Sequence, residues 1–219
     1  MLEMNVDNLK EKIAEAREAS KERGFTQTFD MIVNLKQIDL KKPEHKVDVG
    51  VTLQTNVKAK KLKICAVVEK GLEGVEDIFD GVIYSSDLEK LKGDISEIRK
   101  VTHAYDKFVV QSSVMPNFAQ VLGRYLGPMN KMPSPKMGMV ITDKTPLQPL
   151  YDKLQKTVHV ATRKNTVIQL PIGSEQESDG TIAENIIQIR EALKSSLPNN
   201  EHNIGEVYIK LTMGKLVVI

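Results

Sequence analysis

Hydrophobic residues at three- and four-residue spacing open the chain: Leu9, Ile13 and Ala16 predict an amphipathic helix that Asp7 can start and Gly24 can end. After Gly24 the period changes to two. In TQTFDMIVNL, Phe29, Met31, Val33 and Leu35 share one face, and Thr28, Asp30, Ile32 and Asn34 share the other. Val47, Val49, Val51 and Leu53 alternate in the same way. Both segments predict strands with a single buried face, the habit of antiparallel sheets.

Further on, the apolar runs lose their alternation. Residues 62–68, 82–84, 108–110 and 139–141 are short and almost continuously apolar, as strands covered on both faces are. Helical stretches at 88–91, 95–103 and 117–126 separate them, so this block predicts a parallel α/β unit. Beyond Pro149 the two-residue period returns, and 157–161 and 166–170 flank the turn TRKN as a predicted hairpin. A strong helix follows, with Ile182, Ile186, Ile189 and Leu193 on one face, Asp179 or Ser178 as its cap and Pro198 beyond its end. In the closing EVYIKLTMGKLVVI, Val207, Ile209 and Leu211 alternate with Tyr208, Lys210 and Thr212. The predicted architecture is nested: an α+β domain (antiparallel sheet with helices) from residues 1–58 and 157–219, interrupted at 59–156 by an inserted α/β, Rossmann-like three-layer domain. A double crossing of this kind permits opening and closing about a hinge.

Composition adds little until it is read locally. The 219 residues carry a net charge of +2, too small to imply a nucleic-acid partner by itself. Its distribution is uneven. Residues 21–63 hold ten Lys/Arg against five Asp/Glu, 120–164 hold eight against two, and 69–106 reverse the balance with five against ten. The single cysteine, Cys65, lies in the apolar run ICAVV and reads as a buried structural thiol in a reducing compartment. No apolar run approaches a membrane span and the amino terminus lacks the apolar core of a secretory signal, so a cytoplasmic protein with no membrane partner is expected.

The α/β block invites a search for a nucleotide site, and none emerges. Neither G-x-G-x-x-G nor G-x-x-x-x-G-K-[ST] occurs, and the glycine cluster GLEGVEDIFDG is surrounded by acids that would repel phosphate. His45, His103, His159 and His202 lack metal-ligand spacing, and G-x-S-x-G is absent. No catalytic residue, metal or cofactor is expected. A small-molecule or nucleotide-dependent enzyme on the α/β domain remains the alternative reading.

One stretch stands apart. LGPMNKMPSPKMG sets Pro128, Pro133 and Pro135 among Met129, Met132 and Met137, with Lys131 and Lys136 spaced along a stiff path. The helix before it carries Gly123, Arg124 and Gly127, and Gly127 is expected to let that helix terminate. The run G-R-Y-L-G-P-x-x-K-M-P-S-P-K resembles the signature of the ribosomal protein L-one family, in the Lys-Met-Pro form of its archaeal members. GFTQTFDMIVNL resembles the family's first strand and LTMG its Thr-Met-Gly motif, so the resemblance covers nearly the whole chain.

That resemblance implies a constituent of the large ribosomal subunit that binds its rRNA at the lateral stalk, beside the exit site. It implies help in releasing deacylated tRNA there, repression of the protein's own mRNA, and a monomer when free of the ribosome. It implies that RNA contacts come from the domain built by the chain ends: Phe25, Gln27, Thr28 and Lys36 on one side of the site, Thr212, Met213 and Gly214 on the other. Lys210 and Arg163 would add phosphate attraction, with His159 a further candidate. Lys58 to Lys63, the basic run KAKKLK, reads as a solvated hinge. A non-ribosomal RNA chaperone is a third reading, separable by whether binding requires one folded RNA.

Overall fold

In the computed structural model, residues 6–219 are described, apart from 73, 143, 163 and 164. From the amino terminus, α1 (Val6–Glu18) leads into β1 (Thr28–Leu35) and β2 (Asp48–Thr52). There follow β3 (Ile64–Val68), α2 (Val75–Ile78), β4 (Gly81–Tyr84), α3 (Ser85–Leu91), α4 (Ile95–Ala104), β5 (Lys107–Gln111), α5 (Met115–Met129), β6 (Val140–Ile141) and α6 (Leu147–Lys156). The chain closes with β7 (Thr157–Ala161), β8 (Val167–Ser174), α7 (Asp179–Ser196), β9 (Ile204–Leu211) and β10 (Val217–Val218). Two units divide these elements, residues 1–61 with 156–219 and residues 62–155. Among the described residues no helix is long and apolar enough to cross a membrane.

The first unit holds an antiparallel sheet in the order β10-β9-β1-β8. Period-two alternation places Phe29, Met31, Val33 and Leu35 of β1 and Val207, Ile209 and Leu211 of β9 on its buried face. They share one core with Leu9, Ile13 and Ala16 of α1 and Ile182, Ile186, Ile189 and Leu193 of α7. Ser178 is the cap of α7, its hydroxyl accepting from the Thr181 N–H. The first helix stops at Glu18, well short of Gly24. Arg17 explains why: its guanidinium bonds the Asp179 carboxylate and the carbonyls of Glu175 and Glu177, and lies 5.0 Å from the Phe29 ring centroid. That anchor fixes the last turn, and the chain then leaves toward β1.

The predicted hairpin does not form. β7 pairs with β2, Val49 opposite Val160, while β8 pairs with β1. The connection is pulled apart at its two ends: the Thr162 N–H donates to the Val47 carbonyl, and the Thr166 carbonyl accepts from Leu35. Alternation specifies which face of a strand is buried but not its neighbour, and here neighbours more than a hundred residues away win.

In the second unit the sheet is parallel, ordered β4-β3-β5-β6. Every residue of β3 is buried, which accounts for the missing alternation. Ile64, Ala66 and Val68 pack with Val75 and Phe79 around α2 and with Tyr151 and Leu154 of α6. Cys65 and Val67 pack on the other side against Leu88 of α3, Ile98 of α4, and Phe118 and Leu122 of α5. Helix α6 was not expected, because Pro146 and Pro149 disguise its start.

Two more differences concern α5. It runs through Gly127 and the exposed Pro128 to Met129, and stops where Asn130 turns left-handed at φ 56° and donates to the Gly127 carbonyl. Lys131 then reaches to the end of α4, its Nζ donating to the Thr102 and Tyr105 carbonyls at 2.7 and 2.6 Å. A cation on the last carbonyls of a helix satisfies their free lone pairs and complements the helix dipole. The lysines of the basic run, Lys58, Lys60, Lys61 and Lys63, are exposed, while its backbone is held: the Ala59 N–H donates to Thr28 Oγ1 and the Leu62 N–H to the Gln155 amide oxygen. Gln155 closes the exchange by donating its Nε2 to the Leu62 carbonyl at 2.7 Å.

Candidate nucleic-acid interface

The start of β1 and the end of β9 lie side by side, Phe29 opposite Leu211. Beyond Leu211 a tight turn carries Thr212, Met213 and Gly214 back past that sheet end. Both the N–H and the hydroxyl of Thr212 donate to the Thr28 carbonyl at 3.0 Å, and the Gly214 N–H returns to the Leu211 carbonyl at 2.8 Å. A Cβ on Gly214 would approach the Leu211 Cβ and carbonyl oxygen to 3.3 Å, so the small residue keeps the turn tight.

Gln27 holds this turn from beneath. Its side chain is 1% exposed; the amide oxygen accepts from the Met213 N–H at 3.1 Å and the amide nitrogen donates to Ser20 Oγ at 3.1 Å. Its own N–H donates to the Glu175 carboxylate at 2.8 Å, and the Glu175 carbonyl is one of those held by Arg17. The expected RNA contact of Gln27 is therefore corrected: a buried amide whose oxygen and nitrogen are both engaged is a positioning residue. Arg17 and Glu175 complete the chain of support. They escaped sequence reading because the partners lie some 150 positions apart and leave no local signal.

What faces outward is mixed in chemistry. Phe25 and Met213 are 57% and 58% exposed, with Leu216 nearby in sequence at 56%. A wet aromatic ring is a stacking surface for an unpaired base, and exposed Met can pack on sugars. Thr28 and Thr212 bring hydroxyls, and Lys210, whose Nζ donates to the Thr212 carbonyl at 3.2 Å, brings charge. Asp30 sits opposite Lys210 on the same face. Burial holds its carboxyl above the ordinary range, against the opposing pull of Lys210, the Thr212 hydroxyl and Lys58. Lys58 thus belongs to this neighbourhood electrostatically, and neither it nor Asp30 was anticipated.

A raised native pKa means that Asp30 favours folding most when protonated. Its contribution is fully present below the unfolded value of 3.8 and is lost as pH rises through the higher native value. Asp30→Asn is accordingly expected to raise the melting temperature at neutral pH, with a gain that fades as pH falls toward 3.8. A gain independent of pH in paired melts would contradict the assignment.

Two expected members, Lys36 and His159, do not join the cluster. Lys36 follows the opposite end of β1, about 26 Å from Thr28 at some 3.3 Å per strand residue. His159 lies in the β2–β7 pair, with Nε2 2.7 Å from Asp48 Oδ1. Arg163 is outside the described residues. The signature residues form a separate group in the second unit: Gly123, Arg124, Gly127 and Pro128 on α5, then Lys131, Met132, Pro133, Pro135 and Lys136 in the connection to β6. Met132 packs against the α5-side core, with its Cε 3.8 Å from where a Gly123 Cβ would stand, and Pro133 is buried. Among the described residues no group of three or more His, Cys, Asp or Glu is placed to hold a metal ion.

A sequence model described as the Ribosomal protein L1p/L10e family matches residues 7–215. The chain is 37% identical over 208 residues to the large ribosomal subunit protein uL1 of Pyrococcus horikoshii, covering 94% of this chain and 93% of that protein. It is equally 37% identical to the uL1 proteins of Thermococcus kodakarensis, over 96% of both chains, and of Methanobrevibacter smithii, over 94% of this chain and 96% of its relative. A match that begins in α1 and runs past the Thr-Met-Gly turn takes in both units and the whole candidate interface, and on it the chain belongs to the ribosomal protein L1p/L10e family.

Proposed function

We propose that the protein is a non-catalytic constituent of the large ribosomal subunit that binds rRNA of the lateral stalk through the end of its antiparallel sheet. The observation that carries this reading is the convergence of Phe25, Thr28, Lys210, Thr212 and Met213 on one sheet end, in a chain whose relatives are named as large-subunit proteins. The surface suits folded RNA with unpaired bases: ring and thioether surfaces for bases and sugars, hydroxyls and the Asp30 carboxylate for 2′-hydroxyls, and cations for phosphates. From the family resemblance we extend the reading to a cytoplasmic, ribosome-bound protein that assists release of deacylated tRNA from the exit site. By the same resemblance it represses its own mRNA through a structure that mimics the rRNA site, and is a monomer when free. The residues 62–155 form the inserted α/β, Rossmann-like three-layer domain of that reading.

The test is a titration of the purified protein against the stalk fragment of large-subunit rRNA at several salt concentrations, with an unrelated hairpin as competitor. Binding is expected to resist the hairpin, to weaken by about 0.7–0.9 in log K per tenfold rise in salt for each neutralised phosphate, and to fall about tenfold in Thr212→Val, which removes the hydroxyl that holds the turn to the Thr28 carbonyl and whose oxygen can accept from a 2′-hydroxyl. Binding that the hairpin abolishes, and that Thr212→Val leaves unchanged, would refute the site.

A further inference from the structure

Lys36, displaced from the interface by the length of β1, borders a cavity of about 520 Å³ in the first unit. Its floor is apolar: Leu9 of α1 and Val207 of β9 are core residues, and Ile204 and Ile219 pack partly buried beside them. Cations stand at its rim. Lys12 is paired with Glu15, whereas Arg190 shares the Glu201 carboxylate with Lys194, so that group keeps one positive charge. Lys36 has no hydrogen-bond or ion-pair partner for its Nζ among the described residues.

The position of Lys36 is built by the neighbouring strand. A Cβ at Gly205 would lie 2.7 Å from the Asn34 carbonyl oxygen and 2.8 Å from Lys36 Cε. Glycine there leaves room for the Asn34 carbonyl and for the lysine stem beside it, and Lys36 and Gly205 both line the cavity. Its backbone is fixed as well, the N–H donating to the Asn203 carbonyl and the carbonyl accepting from the Asn203 amide, both within 2.9 Å. A cavity of this size, lined by core apolar side chains and with the unpaired Lys36 at its edge, has the make-up of a small-molecule site.

From this geometry we infer that the cavity binds a small amphipathic anion, its apolar body on Leu9 and Val207 and its charged group on Lys36. Charge selects the class: the Lys12–Glu15 pair is neutral as a unit, while Lys36 and the Arg190–Glu201–Lys194 group each keep a positive charge, so the cavity favours an anion. The site stands independently of the RNA reading, since it lies at the other end of β1 and shares none of Phe25, Thr28, Thr212 or Met213.

The probe is 8-anilinonaphthalene-1-sulfonate, titrated into the full chain and followed by amide chemical shifts, with the uncharged N-phenyl-1-naphthylamine in parallel. The expected result is saturable binding with shifts centred on Leu9, Lys36, Gly205 and Val207. It should weaken about tenfold in Lys36→Gln, be retained in Lys36→Arg, and be weaker for the uncharged analogue. Lys36 is exposed, so neither substitution threatens the fold. Shifts centred on Phe25 and Met213, or equal affinity for both probes and for Lys36→Gln, would overturn the site. A final arm adds the stalk rRNA fragment: a ternary complex is expected, and displacement of the probe by RNA would assign the cavity to the nucleic-acid interface and overturn it as a separate small-molecule site.

Discussion

Phe118→Ala is expected to cost about 3–5 kcal/mol and to confine that loss to residues 62–155. The ring is fully buried, 5.9 Å from the Phe108 ring by centroids, and is packed with Cys65, Val67, Leu88 and Leu122. Deleting it removes the transfer energy of a large side chain and leaves a cavity that α5 and the parallel sheet cannot close. Cys65 reports the outcome without a label of its own. Burial pushes its thiol up to about 12, so in the native state it is protonated and shielded from reagents. If labelling requires opening of this unit, the substitution should accelerate it by about two to four orders of magnitude at 1.4 kcal/mol per tenfold. RNA affinity below the melting transition should stay within about twofold. Faster labelling accompanied by an equal loss of RNA binding would show that the inserted unit supplies RNA contacts.

Gln27→Leu should produce the converse pattern. The leucine fills similar volume but strands the Met213 N–H and the Ser20 hydroxyl, at about 1–3 kcal/mol of stability. The larger effect is expected in binding, a loss of about 10- to 100-fold, because the Thr212–Gly214 turn is then free to sample positions that no longer match the RNA. Gln27→Glu keeps an acceptor for Met213 while giving up the donor to Ser20, and should fall between the two. Calorimetric melts beside RNA titrations separate the possibilities. A lower melting temperature with unchanged affinity would reduce Gln27 to a core residue and detach the turn from recognition.

Elements with a strong single period were legible in the sequence. Leu9, Ile13 and Ala16 gave α1, Phe29 to Leu35 gave β1, and the continuous burial of Ile64–Val68 was foreshadowed by its lack of alternation. Helix α6 carries a readable pattern, Leu147, Leu150, Tyr151 and Leu154, but prolines at 146 and 149 argue locally against it; Pro149 is tolerated because the first turn has no intrahelical partner for an N–H. Strand partners were not legible, as β7 shows: Val158 and Val160 declare a buried face, and only tertiary packing chooses β2 over β8. The candidate interface divided along the same line. Phe25, Thr28, Thr212 and Met213 converge, yet Gln27 turned inward, and Lys36 could have been excluded by counting strand residues. Arg17, Glu175, Asp30 and Lys58 acquire their roles only from three-dimensional proximity.

The exchange between Gln155 and Leu62 has a consequence for how the chain is made. It fastens the two ends of residues 62–155 to each other, and every strand pairing of that unit is internal to it. The surrounding half is opposite in character, since β1 must wait for β8 and β9. During synthesis the inserted unit is complete once residue 155 has emerged and can fold at once, whereas Phe29, Met31 and Val33 have no sheet partner until β8 arrives and lack their second until β9 does. A nascent chain halted before β8 is thus half finished, with an apolar strand unclaimed, and it is an early-made segment that waits longest for its partners.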